Sequence, residues 1–225
     1  KAPDVVNNSW GSANPTDEVL RPAIQRLRAA GIAPVFAAGN PSAGAGSIGT
    51  PANAPEAITV GATDNHDQIA SFSGRGPSFY AGVQKPQVSA PGVNVVSSVP
   101  GGSYEQGSGT SMAAPHVTGL IALMVAADLK DGVRDLNVDE LERFLSYTAV
   151  DLGKPGPDDD YGYGRINAYE AVRWVLSAGD LRGKVRDIGS TLPVAAAQVK
   201  GLNSTPGNNF ATVTNNSGSY SITVP

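Results

Sequence analysis

Ser111 stands where a glycine-rich run turns apolar. The stretch from Gly107 to Leu129, GSGTSMAAPHVTGLIALMVAADL, opens with small polar residues and carries no charged residue until Asp128. This pattern predicts a flexible loop entering a buried helix, with a serine in the first turn. Pro115 suits such a helix only near its start, where a missing N–H loses no partner. Ser111 is therefore expected at or beside the helix N-terminus. Free N–H groups and the positive end of the helix dipole there favour a developing negative charge. Gly109 lets another backbone approach closely. A serine so placed can be a nucleophile that shelters an oxyanion, and it can equally be a plain N-cap. Pro115, His116, Thr118 and Gly119 interrupt the apolar run, which falls short of the roughly 20 apolar residues of a membrane span. It reads as a core helix.

The elements that would hold this serine follow from the pattern of the rest. Pro3 to Ser9 is expected to be a central strand ending at Trp10-Gly11. Asn14-Pro15-Thr16-Asp17 looks like a helix start, and Val19, Leu20, Ala23, Ile24, Leu27 and Ala30 fall at helical spacing up to Gly31. Ile32 to Ala38 reads as a buried strand that ends in Ala37-Ala38-Gly39-Asn40. Strand, helix, strand within about 35 residues is a βαβ unit and predicts a parallel sheet. In such sheets ligands sit beyond the carboxyl ends of the strands. Ala57 to Ala62 is a third strand, and Pro91-Gly92 is expected to turn into a strand from Val93 to Val99. Asn137 with Glu140, and Asn167 with Glu170, have the spacing of helix caps. Beyond Ser177 to Asp180 the pattern changes to period two, with Asn215-Asn216-Ser217-Gly218 as a hairpin turn.

Composition narrows the function classes. The chain has 225 residues, 40% hydrophobic, with a formal net charge of −4. That is enough for one α/β domain and a small extra module, and it argues against nucleic acid as a partner. With no cysteine, disulfides, thiol catalysis and thiolate metal sites are excluded. Asp158-Asp159-Asp160 and the 64–67 segment read as exposed turns, so no metal ligands are assigned.

Gly109-Thr110-Ser111-Met112-Ala113-Ala114-Pro115-His116 resembles the nucleophile signature of the subtilisin-like serine proteases, the subtilases. The resemblance extends over roughly Lys1 to Leu176. Within the family it is most similar to bacillopeptidase F-type enzymes, judged by Asp4 to Gly11 and by Gly76-Pro77-Ser78. It implies a subtilisin-like three-layer α/β fold with a mostly parallel sheet over residues 1–178. It also implies catalytic roles for two residues: Ser111 as the nucleophile of an acyl-enzyme mechanism, and Asn40 as the side-chain donor of an oxyanion hole completed by the Ser111 N–H. Ser9, Trp10 and Gly11 would form an extended edge that pairs with substrate backbone. Ala38, Gly39 and Thr110 would complete the substrate site, Gly39 leaving room at its mouth. Residues 179–225 resemble part of a carboxypeptidase regulatory-like all-β sandwich module.

A serine needs a histidine to take its proton and a carboxylate to orient that histidine. His116 matches a structural position of the signature, and His66 lies in a polar turn that matches no catalytic motif. The aspartate and histidine signatures of the family are expected upstream of Asp4. Lys1 is not methionine and the chain starts almost inside a strand, so the N-terminus looks cut and this stretch alone is expected to be inactive. The resemblance implies a secreted or cell-surface endopeptidase, monomeric, acting on proteins or peptides, with no membrane span. Calcium as a structural ion is the one cofactor it leaves open. The rival readings are a catalytically dead, peptide-binding subtilase and a surface protein whose β-module supplies adhesion.

Overall fold

The computed structural model describes residues 2–41, 44–177, 179–187, 190, 192–201 and 210–224. The chain divides into Lys1–Val172 and Arg173–Pro225. Ala178, where the expected boundary falls, lies outside the described residues.

The first unit is built on four parallel strands, β1 (Val5–Asn8), β2 (Ala33–Ala37), β3 (Ile58–Thr63) and β4 (Val88–Pro91), hydrogen-bonded in that order. Every residue of β2 and β3 is buried. Strands covered on both faces read as unbroken apolar runs, which is why these two are visible in the sequence. β4 is not. Its sequence suggests a Pro-Gly turn, yet Val88, Ser89 and Ala90 are buried and pair with Val60, Gly61 and Ala62. A four-residue strand holding serine and ending at proline is defined by its neighbour rather than by its own pattern.

Helix α1 (Arg21–Ala29) starts later than Asn14-Pro15 suggests. The Asn14 side chain accepts instead from the N–H and hydroxyl of Thr16, closing a local turn that competes with a helix. Pro22 then occupies the first turn, where its lack of an N–H costs nothing. Val19 and Leu20 are exposed, and Ile24 is the buried residue of this helix. Ile24, Phe36, Ala38, Ile48, Ala52, Ala54 and Ala57 form one hydrophobic cluster.

A hairpin of β5 (Val95–Val99) and β6 (Ser103–Gly107) turns at Gly101 and Gly102, both with positive φ, and leads into helix α2 (Thr110–Asp128). The sequence suggests only a lead-in at β6, because an exposed strand has no buried face to impose alternation. Helix α2 packs on β1, β2, β3 and β4. Its buried Val117, Leu120, Ile121, Met124 and Val125 each contribute about 1.5–3 kcal/mol of apolar burial. The helix has the length and hydropathy of a membrane span, but these contacts make it the central helix of the sheet.

Helix α3 (Val138–Thr148) opens with the expected capping box: Asn137 Oδ1 accepts from the Glu140 N–H, and Glu140 Oε2 from the Asn137 N–H. Asn167 likewise accepts from the Glu170 N–H at the start of α4 (Ala168–Ser177).

The second unit contains two antiparallel pairs. β7 (Gly179–Lys184) runs beside β10 (Ser219–Val224), and β8 (Gln198–Gly201) beside β9 (Phe210–Val213). The turn at Asn215 exists, its side chain accepting from the Ser217 and Ser219 N–H groups. It joins strands of different sheets rather than a hairpin, and the buried Thr214 beside it accepts from Ala197 N and donates to Val194 O.

Candidate active site

The ladder between β1 and β2 ends at Asn8 and Phe36, and both strands release their chains at the carboxyl edge of the sheet. The first turn of α2 meets them there. Among the described residues a cavity of about 340 Å³ opens at this junction, and its lining includes all eight residues that the resemblance singled out. No charged side chain lines it among the described residues. The electrostatics are set instead by N–H groups and by the α2 terminus, equivalent to roughly half a positive charge.

Ser111 is the second residue of α2. The Thr110 N–H is met by Asn40 Oδ1, and the Met112 and Ala113 N–H groups by Gly109 O. Among the described residues no acceptor meets the Ser111 N–H, so one free donor lies beside the Ser111 hydroxyl. The second donor is oriented by Thr110. Asn40 Oδ1 accepts from both the Thr110 N–H and the Thr110 hydroxyl, each at 2.9 Å, while that hydroxyl accepts from the Gly39 N–H at 3.1 Å. A backbone N–H can only donate, so the amide cannot be flipped and its NH2 must face away from Thr110. A Cβ at Gly109 would stand 3.2 Å from Asn40 Nδ2, and the Gly109 N–H donates to Gly92 O at 2.7 Å. Glycine at 109 therefore makes room for the side-chain amide, and the close approach of the two backbones calls for glycine at 92, where a Cβ would lie 2.8 Å from Gly109 O. At Gly39 a Cβ would meet only Pro41 Cδ at 3.9 Å, and a φ of 93° is what calls for glycine.

From Ser9 to Gly11 no backbone N–H or C=O is paired with backbone among the described residues, which leaves an open edge along the cavity. Trp10 is 52% exposed and stands edge-on to Phe36 at 5.7 Å, so it is a rim residue rather than core. The far wall is not legible in the sequence. Ser12 pairs with Thr50, and Gly49 comes so close that a Cβ would lie 1.7 Å from Ser12 O. Gly49-Thr50-Pro51 is the available signal, lost within a longer glycine- and serine-rich stretch.

Pro115 sits in the second turn of α2, not at its start. The Ser111 carbonyl consequently lacks the N–H that an α-helix supplies from residue i+4, and it accepts from the Ser9 hydroxyl at 3.0 Å. The Ser111 hydroxyl lies 3.4 Å from Ser9 O. Neither histidine approaches it: exposed His116 donates through Nδ1 to Met112 O, and His66 is in the exposed 64–68 turn. Among the described residues no group of three acidic or imidazole side chains could hold a metal ion. Asp158 is instead satisfied by the N–H groups of Lys154, Asp160 and Tyr161.

The model of the subtilase family matches residues 1–164. Bacillopeptidase F of Bacillus subtilis (strain 168) is 47% identical over 194 residues, covering 82% of this chain and 13% of the relative. Subtilisin Savinase of Lederbergia lenta is 40% identical over 169 residues, covering 75% of this chain and 56% of the relative. A solved structure of the prenylagaramide maturation protease PagA superposes with a TM-score of 0.65 at 27% identity, over 76% of this chain and 61% of that one. The chain thus spans between 13% and 56% of the length of these two curated relatives.

Proposed function

Because the chain belongs to the subtilase family, we propose that the protein is a serine endopeptidase in which Ser111 forms the acyl-enzyme. The reading rests on one arrangement: a serine hydroxyl in the first turn of α2, flanked by its own free N–H and by the outward amide of Asn40. An extended peptide pairs with the open edge from Ser9 to Gly11, its side chain entering the cavity beside Ala38 and Gly39. Ser111 Oγ attacks the scissile carbonyl, and the two N–H donors receive the charge that develops on its oxygen. The base that takes the Ser111 proton and returns it to the leaving amine is neither His66 nor His116. It comes, with its carboxylate partner, from residues outside this chain. Water then releases the acyl group. The substrates are proteins or peptides met outside the cell, and the protein acts as a monomer. Calcium, if bound, has a structural role. The C-terminal strands form part of a carboxypeptidase regulatory-like module, a reading supported by their period-two pattern and antiparallel pairing.

Fluorophosphonate labelling of the protein expressed from its natural start, with Ser111→Ala beside it, tests this. Such a probe reacts with a serine only when a working base activates it. Labelling that disappears in Ser111→Ala is expected. A folded full-length protein that does not label would replace the protease with a peptide-binding, catalytically dead relative.

A further inference from the structure

The contact between Ser9 and Ser111 carries more than an open edge requires. In an α-helix the carbonyl of residue i accepts from the N–H of residue i+4, and the donor due to Ser111 is that of residue 115. Proline has none, and its ring also presses on the carbonyl one turn back. The peptide unit that follows the candidate nucleophile is thus the one the helix itself fails to hold. Ser9, 102 residues away in sequence, donates its hydroxyl to that carbonyl at 3.0 Å. The hydroxyl is itself aimed: Asn7 Nδ2 donates to Ser9 Oγ at 3.0 Å, which leaves the Ser9 proton free for Ser111. Asn7 is oriented in turn by Thr118 of α2, whose hydroxyl lies 3.0 Å from Asn7 Oδ1 and 3.1 Å from Ala114 O. The network leaves α2 at Thr118, crosses the end of β1 and returns to α2 at Ser111.

We infer that Ser9 is a positioning residue for Ser111, its hydroxyl standing in for the helix N–H that Pro115 lacks. This rests on the protease reading. Ser9 Oγ touches neither the reacting carbonyl nor the leaving group. It acts by fixing the backbone at Ser111, on which both the attacking hydroxyl and one oxyanion donor are mounted. Its loss therefore falls on kcat and leaves ground-state binding alone. Pro115 explains why the hydroxyl is needed, and it supplies the control, because alanine at that position restores the missing donor.

The experiment is a double-mutant cycle in the full-length protein with Ser9→Ala, Pro115→Ala and the pair, and with Ser9→Thr as the conservative variant. The readouts are fluorophosphonate labelling rate, and kcat and KM on a peptide, well below the melting temperature. Ser9→Ala is expected to slow labelling and kcat about tenfold, with KM within about twofold, the effect of leaving one carbonyl unsatisfied. In the Pro115→Ala background the same change is expected to cost less than about threefold, and Ser9→Thr to retain most of the rate. Equal losses from Ser9→Ala in both backgrounds, or no loss in either, would overturn the inference. A wild type that never labels overturns the protease reading instead. The hydrogen bond is then read from the same four proteins by urea unfolding, where strictly additive losses overturn the inference.

Discussion

The side chain that organises the site is Thr110 rather than Ser111. Its hydroxyl accepts from Gly39 and donates to Asn40, while its N–H holds the same Asn40 oxygen. The amide assigned to the reacting carbonyl in the proposed mechanism is thus fixed by two donors on one residue. Asn40→Leu is expected to lower kcat of the full-length protein by about 10²–10³ with little change in KM, the magnitude already established for the corresponding donor of a subtilisin. Thr110→Val keeps the N–H and loses the hydroxyl, so steady-state kinetics should show a smaller loss, about three- to tenfold in kcat. Equal losses in the two variants would mean that the backbone N–H does not hold the amide. The sequence placed these residues together through the resemblance, but it could not assign the role of Thr110. That role depends on a contact between residues 70 positions apart.

At the scale of elements, local chemistry is legible where it closes on itself. The Asn137 and Glu140 capping box needs four consecutive residues and nothing else, and it forms as its spacing predicts. Asn137→Ala should destabilise the protein by about 1 kcal/mol, measured as a lower urea midpoint with an unchanged slope. The start of α1 is not legible, because Asn14-Pro15 and Pro22 both carry helix-start chemistry. The Asn14 side chain turns to Thr16 instead. Pro115 shows the same limit in reverse. Alone it signals a helix start, yet it lies in the second turn, where the Ser9 hydroxyl just beyond β1 meets the carbonyl it orphans.

At the scale of the whole molecule, the packed sheet buries the cation Lys85. Lys85 has no exposed surface, and its amine lies 2.5, 3.0 and 3.2 Å from three acceptors, Ala57 O, Thr59 Oγ1 and Gln87 Oε1. Among the described residues no carboxylate pairs with it. Burial pulls the amine down to about 7 from its ordinary 10.5. Between those values the folded amine is mostly neutral while the unfolded one is charged, so unfolding takes up a proton. Stability therefore rises with pH through this window and is lowest below about 7. Urea unfolding from about pH 7 to about pH 9.5 should show that rise, and Lys85→Met should flatten it even though it lowers overall stability. A rise that persists in Lys85→Met would assign it to another group.

The sequence by itself determined the family and the parallel α/β core, and through the resemblance it singled out eight residues that line one cavity. Buried strands, helix caps and the nucleophile run are short-range patterns, each complete within a few to about twenty residues. Only the tertiary structure decided how those residues are held. Asn40 is aimed by Thr110, the Ser111 carbonyl is met by Ser9, β4 exists because β3 lies beside it, and Lys85 finds two of its oxygens on the 57–59 segment. Each of these depends on donors and acceptors from distant parts of the chain meeting within about 3 Å, a distance that spacing in sequence does not encode.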